Sequence, residues 1–367
     1  MRVPFFRYSE MFKMYGSEYQ GAIQKVLDRG AFILQEENRE FDEHLKSYVG
    51  ARHAFGVANG TDAIIIALHA AGVGKGDEVI LPSHTYIATA ASVHFVGATP
   101  VLVECGSDHL IDAESAAAAV TPRTKAIIPV QLNGRTANMD KMCAVAVKHD
   151  LLIIEDAAQG IGSSFKGRAA GTFGTAGTYS FFPAKILGGF GDAGGIVTND
   201  DAVARKIALL HDHGRNNDGN VVAWGLNSRL DNLQAAVLLT RFAHVDAEIE
   251  RRRTIARMYQ AGLSDLEQLT LPPAPDSDSD HFDSFQNYEI EANNRDALKE
   301  FLKQQGVGTL IQWNGSPIHW FKELGFSVKL PHTDHLFSRC LLLPMNSMLT
   351  DSEVEIVIEE VRNFYRA

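Results

Sequence analysis

No apolar run in this sequence approaches the roughly 20 residues that a membrane-spanning helix requires. The opening MRVPFFRYSEMFKMYG lacks the apolar core and small-residue cleavage site of a secretory leader, so it reads as a mature cytoplasmic start. Positive charge is scarce: 34 Lys and Arg stand against 45 Asp and Glu, a formal net charge of −11. Nucleic-acid binding favours a basic face, so no nucleic-acid partner is expected. Only three cysteines occur, Cys105, Cys143 and Cys340, far apart and odd in number. They form neither a CxxC pair nor a disulfide framework and read as reduced structural residues. No metal site is expected. No GxGxxG follows the first strand to open a helix with an acidic residue about 20 positions on, which excludes a nicotinamide-dinucleotide reading. No internal repeat is present either.

What remains is an ordinary globular composition, 45% hydrophobic and 22% charged over 367 residues. That length suggests about two domains. Residues 18–29 and 39–49 have helical periodicity. DEVILPS (77–83), TPVLVE (99–104), TKAIIPVQ (124–131) and LLIIEDA (151–157) are apolar runs of strand length. Helix-compatible segments at 87–97, 113–120 and 138–150 lie between them, and GTYSFF (177–182) and GGIVTND (194–200) add two further strands. Such alternation predicts a mostly parallel sheet with helices on both faces. Residues 231–262 read as long helices, and PPAPDSDSDHFDS (272–284) as a loop or linker. The expected architecture is a large α/β domain with an N-terminal helical segment, 1–240, and a smaller C-terminal α+β domain, 241–367.

Against this background, SFFPAKILGGFGDAGG (180–195) is unusual. It sets Lys185 among aromatic, apolar and glycine residues, with no charge nearby until Asp192. Lysine is rarely buried unpaired, and a desolvated ammonium tends to lose its proton and become a nucleophilic amine. Ligands of parallel sheets bind beyond the carboxyl ends of the strands. Asp156, Tyr86 and Ser180 all fall at such ends. In VANGTDAIIIALHAAG (57–72), Gly60 and Thr61 open an apolar helix, with Asn59 or Thr61 as its cap, and free N–H groups there suit a phosphate. A nucleophilic lysine, a strand-end carboxylate, an aromatic face and a phosphate-binding helix start together make up what pyridoxal phosphate needs.

The segments NGTDAI, PSHTYIATA, EDAAQGIGSSFKG, TYSFFPAKILGGFGDAGGIVT and GLNSRLDNLQAA resemble, in order and spacing, motifs of the DegT/DnrJ/EryC1/StrS sugar aminotransferases, a group of fold-type I pyridoxal-phosphate enzymes. The resemblance covers roughly residues 4 to 360. It implies that Lys185 is the Schiff-base lysine and proton shuttle, that Asp156 pairs with the pyridine nitrogen, and that Gln159 meets the phenolic oxygen. Tyr86 takes the stacking position, while Gly60, Thr61 and Ser180 hold the phosphate. Asn227 would reach the phosphate of a neighbouring subunit's cofactor, which implies a homodimer with shared active sites. His319 and Arg229 match substrate-side positions.

Three departures from the family pattern are expected to face the sugar. QLNG (131–134) stands where many members carry His-Leu-Tyr-Gly, QWN (312–314) where many carry His-Tyr-Pro, and Asn346 where histidine is frequent. The implied reaction moves an amino group, with glutamate as the usual donor, to a keto group of a nucleotide-linked deoxysugar, at C3 or C4. The cofactor passes through its pyridoxamine form. Two alternatives stand beside it. Relatives that are sugar dehydratases carry a histidine in place of the lysine, which is present here. A non-catalytic cofactor-binding regulatory module is the other alternative, but no DNA-binding helix-turn-helix is appended.

Overall fold

The structure, a computed structural model, describes residues 2–366. Its centre is a seven-stranded sheet made of β1 (His53–Val57), β2 (Glu78–Pro82), β3 (Thr99–Val103), β4 (Thr124–Ile127), β5 (Leu152–Asp156), β6 (Ala176–Ser180) and β7 (Gly194–Thr198). Their spatial order is β1-β7-β6-β5-β4-β2-β3. The contiguous strands β3, β2, β4, β5 and β6 are parallel, while β7 runs antiparallel to both of its neighbours.

Strand periodicity sorts the apolar residues onto two faces. Val79, Leu81, Ile154 and Ile196 enter one core with residues of the helices Gly60–Ala70, Ile87–Phe95 and Asp201–Leu210. Ile80, Ile127 and Ile153 enter another with Met139 and Met142 of the helix Met139–His149. Val197 packs with Phe41 and Leu238 in a third. A sheet covered on both faces must be apolar along its strands, and every residue of β2 and of β7 is buried. The α/β architecture expected from the alternation is thus observed.

A separate core forms around a three-stranded antiparallel sheet of β8 (Leu269–Thr270), β9 (Tyr288–Ala292) and β10 (Cys340–Leu343). The helices Val245–Leu263, Arg295–Gln304 and Asp351–Arg366 cover it, and Val3 joins it from the start of the chain.

Two features differ from the sequence reading. The strand β1 is absent from it, because HAFGV is short and its exposure grades from half-buried to buried instead of alternating. The 272–284 segment is more than a linker. Arg135 bonds Asp283 at 2.6 Å and Asp278 at 3.1 Å, Arg257 holds Asp276 at 3.0 Å, and His281–Phe282 pairs with Ser164–Phe165. Its acidic residues are counter-ions that strap the segment to both cores.

Candidate active site

The ends of β1, β2, β5 and β6 and the start of β7 share one edge of the sheet, and a pocket of about 780 Å³ opens there. Glycines set how closely the elements at this edge can approach. A Cβ on Gly194 would come within 2.4 Å of the Asn59 carbonyl, and one on Gly60 within 2.8 Å of Ser180 Cβ. Only glycine lets the helix Gly60–Ala70 begin directly against the end of β6. Asn59 is the cap: its Oδ1 accepts the Asp62 N–H at 2.8 Å. The N–H groups of Gly60 and Thr61, both lining the pocket, have no partner among the described residues. Ser180 Oγ adds a hydroxyl beside them. The set forms a cradle for an anion.

Asp156 ends β5, buried behind the pocket. Thr89 Oγ1 donates to its Oδ2 at 2.7 Å, and the Ala158 N–H donates to its Oδ1 at 3.1 Å. Burial raises its pKa above the usual aspartate range; the Thr89 bond, the Ala158 N–H and the Lys185 charge oppose this. Lys185 faces the same pocket, and its Nζ makes no hydrogen bond among the described residues. Burial brings its pKa down to about 8, against the pull of Asp156. At neutral pH roughly a tenth of such an amine is unprotonated, hundreds of times the fraction for an ordinary lysine.

Gln159 also lines the pocket. Its Oε1 accepts both the Asn133 N–H, at 2.9 Å, and Asn287 Nδ2, at 3.1 Å. With its oxygen so engaged, Gln159 is left with Nε2 as a donor. Tyr86, the residue before the helix Ile87–Phe95, stands 56% exposed at the pocket wall. Seven of the expected residues (Gly60, Thr61, Tyr86, Asp156, Gln159, Ser180 and Lys185) therefore meet in one pocket.

The other three lie outside it. Asn227 is exposed on the 212–230 segment, bridged to Asp212. Arg229 pairs with Asp212 at 3.0 Å. His319 is buried with both ring nitrogens engaged, Nδ1 with Ser83 Oγ at 2.7 Å and Nε2 with Asp334 at 2.9 Å.

The departures from the family pattern are mostly not at the pocket surface. Gln131 is buried against Glu155, donating Nε2 to its Oε2 at 2.8 Å, and Glu155 also takes the N–H groups of Gly171, Phe173 and Gly174. Asn133 and Gln312 converge on buried Glu289, at 2.9 and 2.8 Å. Of these stretches only Leu132 and Trp313 line the pocket. Gln131, Asn133 and Gln312 belong to a polar lattice behind it, Asn133 also lines a neighbouring cavity, and Asn314 is exposed.

Sequence reasoning missed Thr85 and Thr89, whose hydroxyls form a chain of two bonds, 2.9 and 2.7 Å, to the Asp156 carboxylate. Their i, i+4 spacing at the start of a helix was the available signal. Phe6 also lines the pocket, brought there from the far N-terminus, and no local pattern marks it.

The sequence model of the DegT/DnrJ/EryC1/StrS aminotransferase family matches residues 14–362. A "pleiotropic regulatory protein" of Geobacillus stearothermophilus is 40% identical, covering 100% of this chain and 99% of its own. A dTDP-3-amino-3,4,6-trideoxy-alpha-D-glucose transaminase of Streptomyces venezuelae is 38% identical, covering 99% and 96%. The crystal structure of S. venezuelae DesV, in complex with a ketimine intermediate, superposes with a TM-score of 0.95 at 36% identity, over 100% of this chain and 99% of that one. The pocket and these likenesses agree, and the chain belongs to the DegT/DnrJ/EryC1/StrS aminotransferase family.

Proposed function

We propose that this protein is a pyridoxal-phosphate-dependent aminotransferase. It moves the amino group of an amino acid, L-glutamate, onto a keto carbon of a nucleotide-linked deoxysugar. The observation that carries the reading is the convergence of an unpaired, pKa-depressed Lys185 and a braced Asp156 on a pocket whose far end is an anion cradle. The transaminase activity for which the Streptomyces relative is named supports it.

The residues present fit the cofactor. Gly60, Thr61 and Ser180 would hold its phosphate, Asp156 its ring nitrogen, Gln159 Nε2 its phenolic oxygen and Tyr86 its ring face. When bound, pyridoxal phosphate supplies an aldehyde that condenses with amines and a ring that accepts an electron pair. Lys185 Nζ, partly unprotonated near neutral pH, takes and returns the proton at the amine-bearing carbon. Asp156, fixed by Thr89 and Ala158, keeps a negative charge against the ring nitrogen. Gln159 cannot rotate its oxygen inward, because Asn133 and Asn287 already occupy it.

The proposal extends to a homodimer in the cytoplasm. Val221, Val222, Leu226 and 95%-exposed Trp224 form an apolar surface on the segment that carries Asn227 and Arg229. A second copy seated there would cover it and bring Asn227 toward a neighbouring site. The three cysteines are unpaired, as a reducing compartment requires.

The test is an absorbance spectrum of the cofactor-loaded protein, taken before and after L-glutamate is added. A shift of the visible band to the amine form of the cofactor is expected, followed by recovery on adding a nucleotide keto-sugar. Lys185→Ala should abolish both while leaving the protein folded, since Lys185 Nζ makes no hydrogen bond. Retained turnover in that variant would sink the mechanism. The name of the Geobacillus relative favours a second, regulatory reading. A loaded protein indifferent to every amino donor would support that reading instead.

A further inference from the structure

A small cavity of about 50 Å³ adjoins the main pocket, sharing Phe6, Ala184 and Lys185 with it. It shares none of the phosphate-end residues Gly60, Thr61 and Ser180. Arg252, from the helix Val245–Leu263, lines it and is only 6% exposed. Arg252 Nη1 donates to the carbonyls of Phe285, Gln286 and Met345, each at 3.1 Å. Its Nη2 has no partner, and no carboxylate lies within 4.0 Å of it, among the described residues. Glu248, the nearby candidate, turns its Oε2 to Arg241 and to Ser347 Oγ, each at 3.0 Å, and its buried Oε1 has no partner among the described residues. Arg7 is paired with Glu353. Three guanidinium groups and Lys185 thus line the cavity with one carboxylate, Glu248, while Glu353 answers Arg7 from outside the lining, so positive charge is in excess there.

Burying an unpaired cation is costly unless an anion completes the site. Burial brings Arg252 down only to about 10, so it stays charged at neutral pH. A planar guanidinium fork matches a carboxylate, and the volume admits a group of that size but not a sugar or a nucleotide. An α-amino acid whose amine reaches Lys185 carries its carboxylate one carbon away. We infer that the cavity between Lys185 and Arg252 is the subsite for a carboxylate of the amino-acid donor. The inference rests on the aminotransferase reading above. Asn346, which replaces the frequent histidine, forms part of its wall and accepts the Met348 N–H at 3.1 Å.

The experiment titrates the loaded enzyme with glutarate, a non-reacting dicarboxylate, by calorimetry and measures KM for L-glutamate and for a keto-sugar separately. Arg252→Gln should weaken glutarate at least tenfold and raise the L-glutamate KM to match, with the keto-sugar KM unchanged. Arg252→Lys should recover part of the loss. Asn346→Asp places a competing anion in the cavity without touching the Arg252 bonds and should weaken glutarate similarly, whereas Asn346→Ala, which loses the same 3.2 Å bond to the Phe5 carbonyl without adding charge, should not; the pair decides the matter if Arg252→Gln does not fold. Wild-type glutarate affinity in folded Arg252→Gln or in Asn346→Asp overturns the subsite, as does a change confined to the keto-sugar KM, which would assign the carboxylate to the sugar. A wild-type enzyme whose spectrum ignores glutamate overturns the parent reading as well, and so is told apart from failure of the subsite alone.

Discussion

Replacing Thr89 by Val removes one hydroxyl from behind the active site and keeps the side-chain shape. Thr89 Oγ1 donates to Asp156 at 2.7 Å and, with its proton committed there, accepts from Thr85 Oγ1 at 2.9 Å. Asp156 already titrates above its ordinary range because it is buried, and the Thr89 bond is the largest force opposing that shift. A folded-state pKa above the unfolded one gives stability that is complete below the unfolded value, 3.8, and lost as pH rises through the folded value. The substitution raises the folded value further, so the loss should continue to higher pH. On the acid side, where the folded carboxyl is protonated, losing a neutral hydrogen bond costs about 1 kcal/mol. On the alkaline side a bond to a charged group is lost, about 1.5–3 kcal/mol. Thr85 loses its acceptor at every pH, so that cost cancels between the two arms. Urea unfolding of the cofactor-free protein at one pH on each side of the folded Asp156 titration should therefore show a larger destabilisation at the higher pH. The excess should be about 0.5–2 kcal/mol, on the order of one pKa unit for Asp156. An effect equal at both pH values, or larger in acid, would refute the claim that Thr89 holds the ionised carboxylate.

Two further outcomes are expected. Gly60→Ala would push a Cβ to 2.8 Å from Ser180 Cβ, a strand atom that cannot swing away. Overpacking of about 1–3 kcal/mol at the phosphate cradle should raise the cofactor Kd roughly 5- to 150-fold, and an unchanged Kd by equilibrium dialysis would contradict the close approach. His109 is buried, which lowers its pKa, but Glu289 and Glu291 outweigh this and lift it to about 9. Its stabilisation is complete below the ordinary value of 6.5 and should disappear as pH rises through about 9, a fall of ~3 kcal/mol in denaturant unfolding. His109→Gln should flatten that slope; a slope that survives would place its origin elsewhere.

The cofactor half of the site was legible because its residues occupy ends of successive apolar strands. Asp156, Ser180 and Tyr86 each follow a run that reads as buried strand, and a parallel sheet delivers all such ends to one edge. Gly60 and Thr61 were visible as a helix start. The polar lattice behind them was not visible in that way. Glu289 meets Asn133 and His109 across separations of 156 and 180 residues. Gln131, expected to face the sugar from its place in the family pattern, is buried against Glu155, across a separation of 24 residues.

The sequence by itself determined the alternation of strands and helices, β1 apart, and singled out Lys185, Asp156 and the helix start at Gly60 and Thr61, which meet in one pocket, since each depends on local periodicity or on a strand end. Only the tertiary structure decided which charges are compensated. The 276–283 acids became counter-ions of Arg135, Arg253 and Arg257, whereas Arg252 was left unpaired beside Lys185. Whether a charge has a partner depends on segments brought together from 19 to 148 residues apart, and the low dielectric of the interior makes that pairing decide what each charge can do.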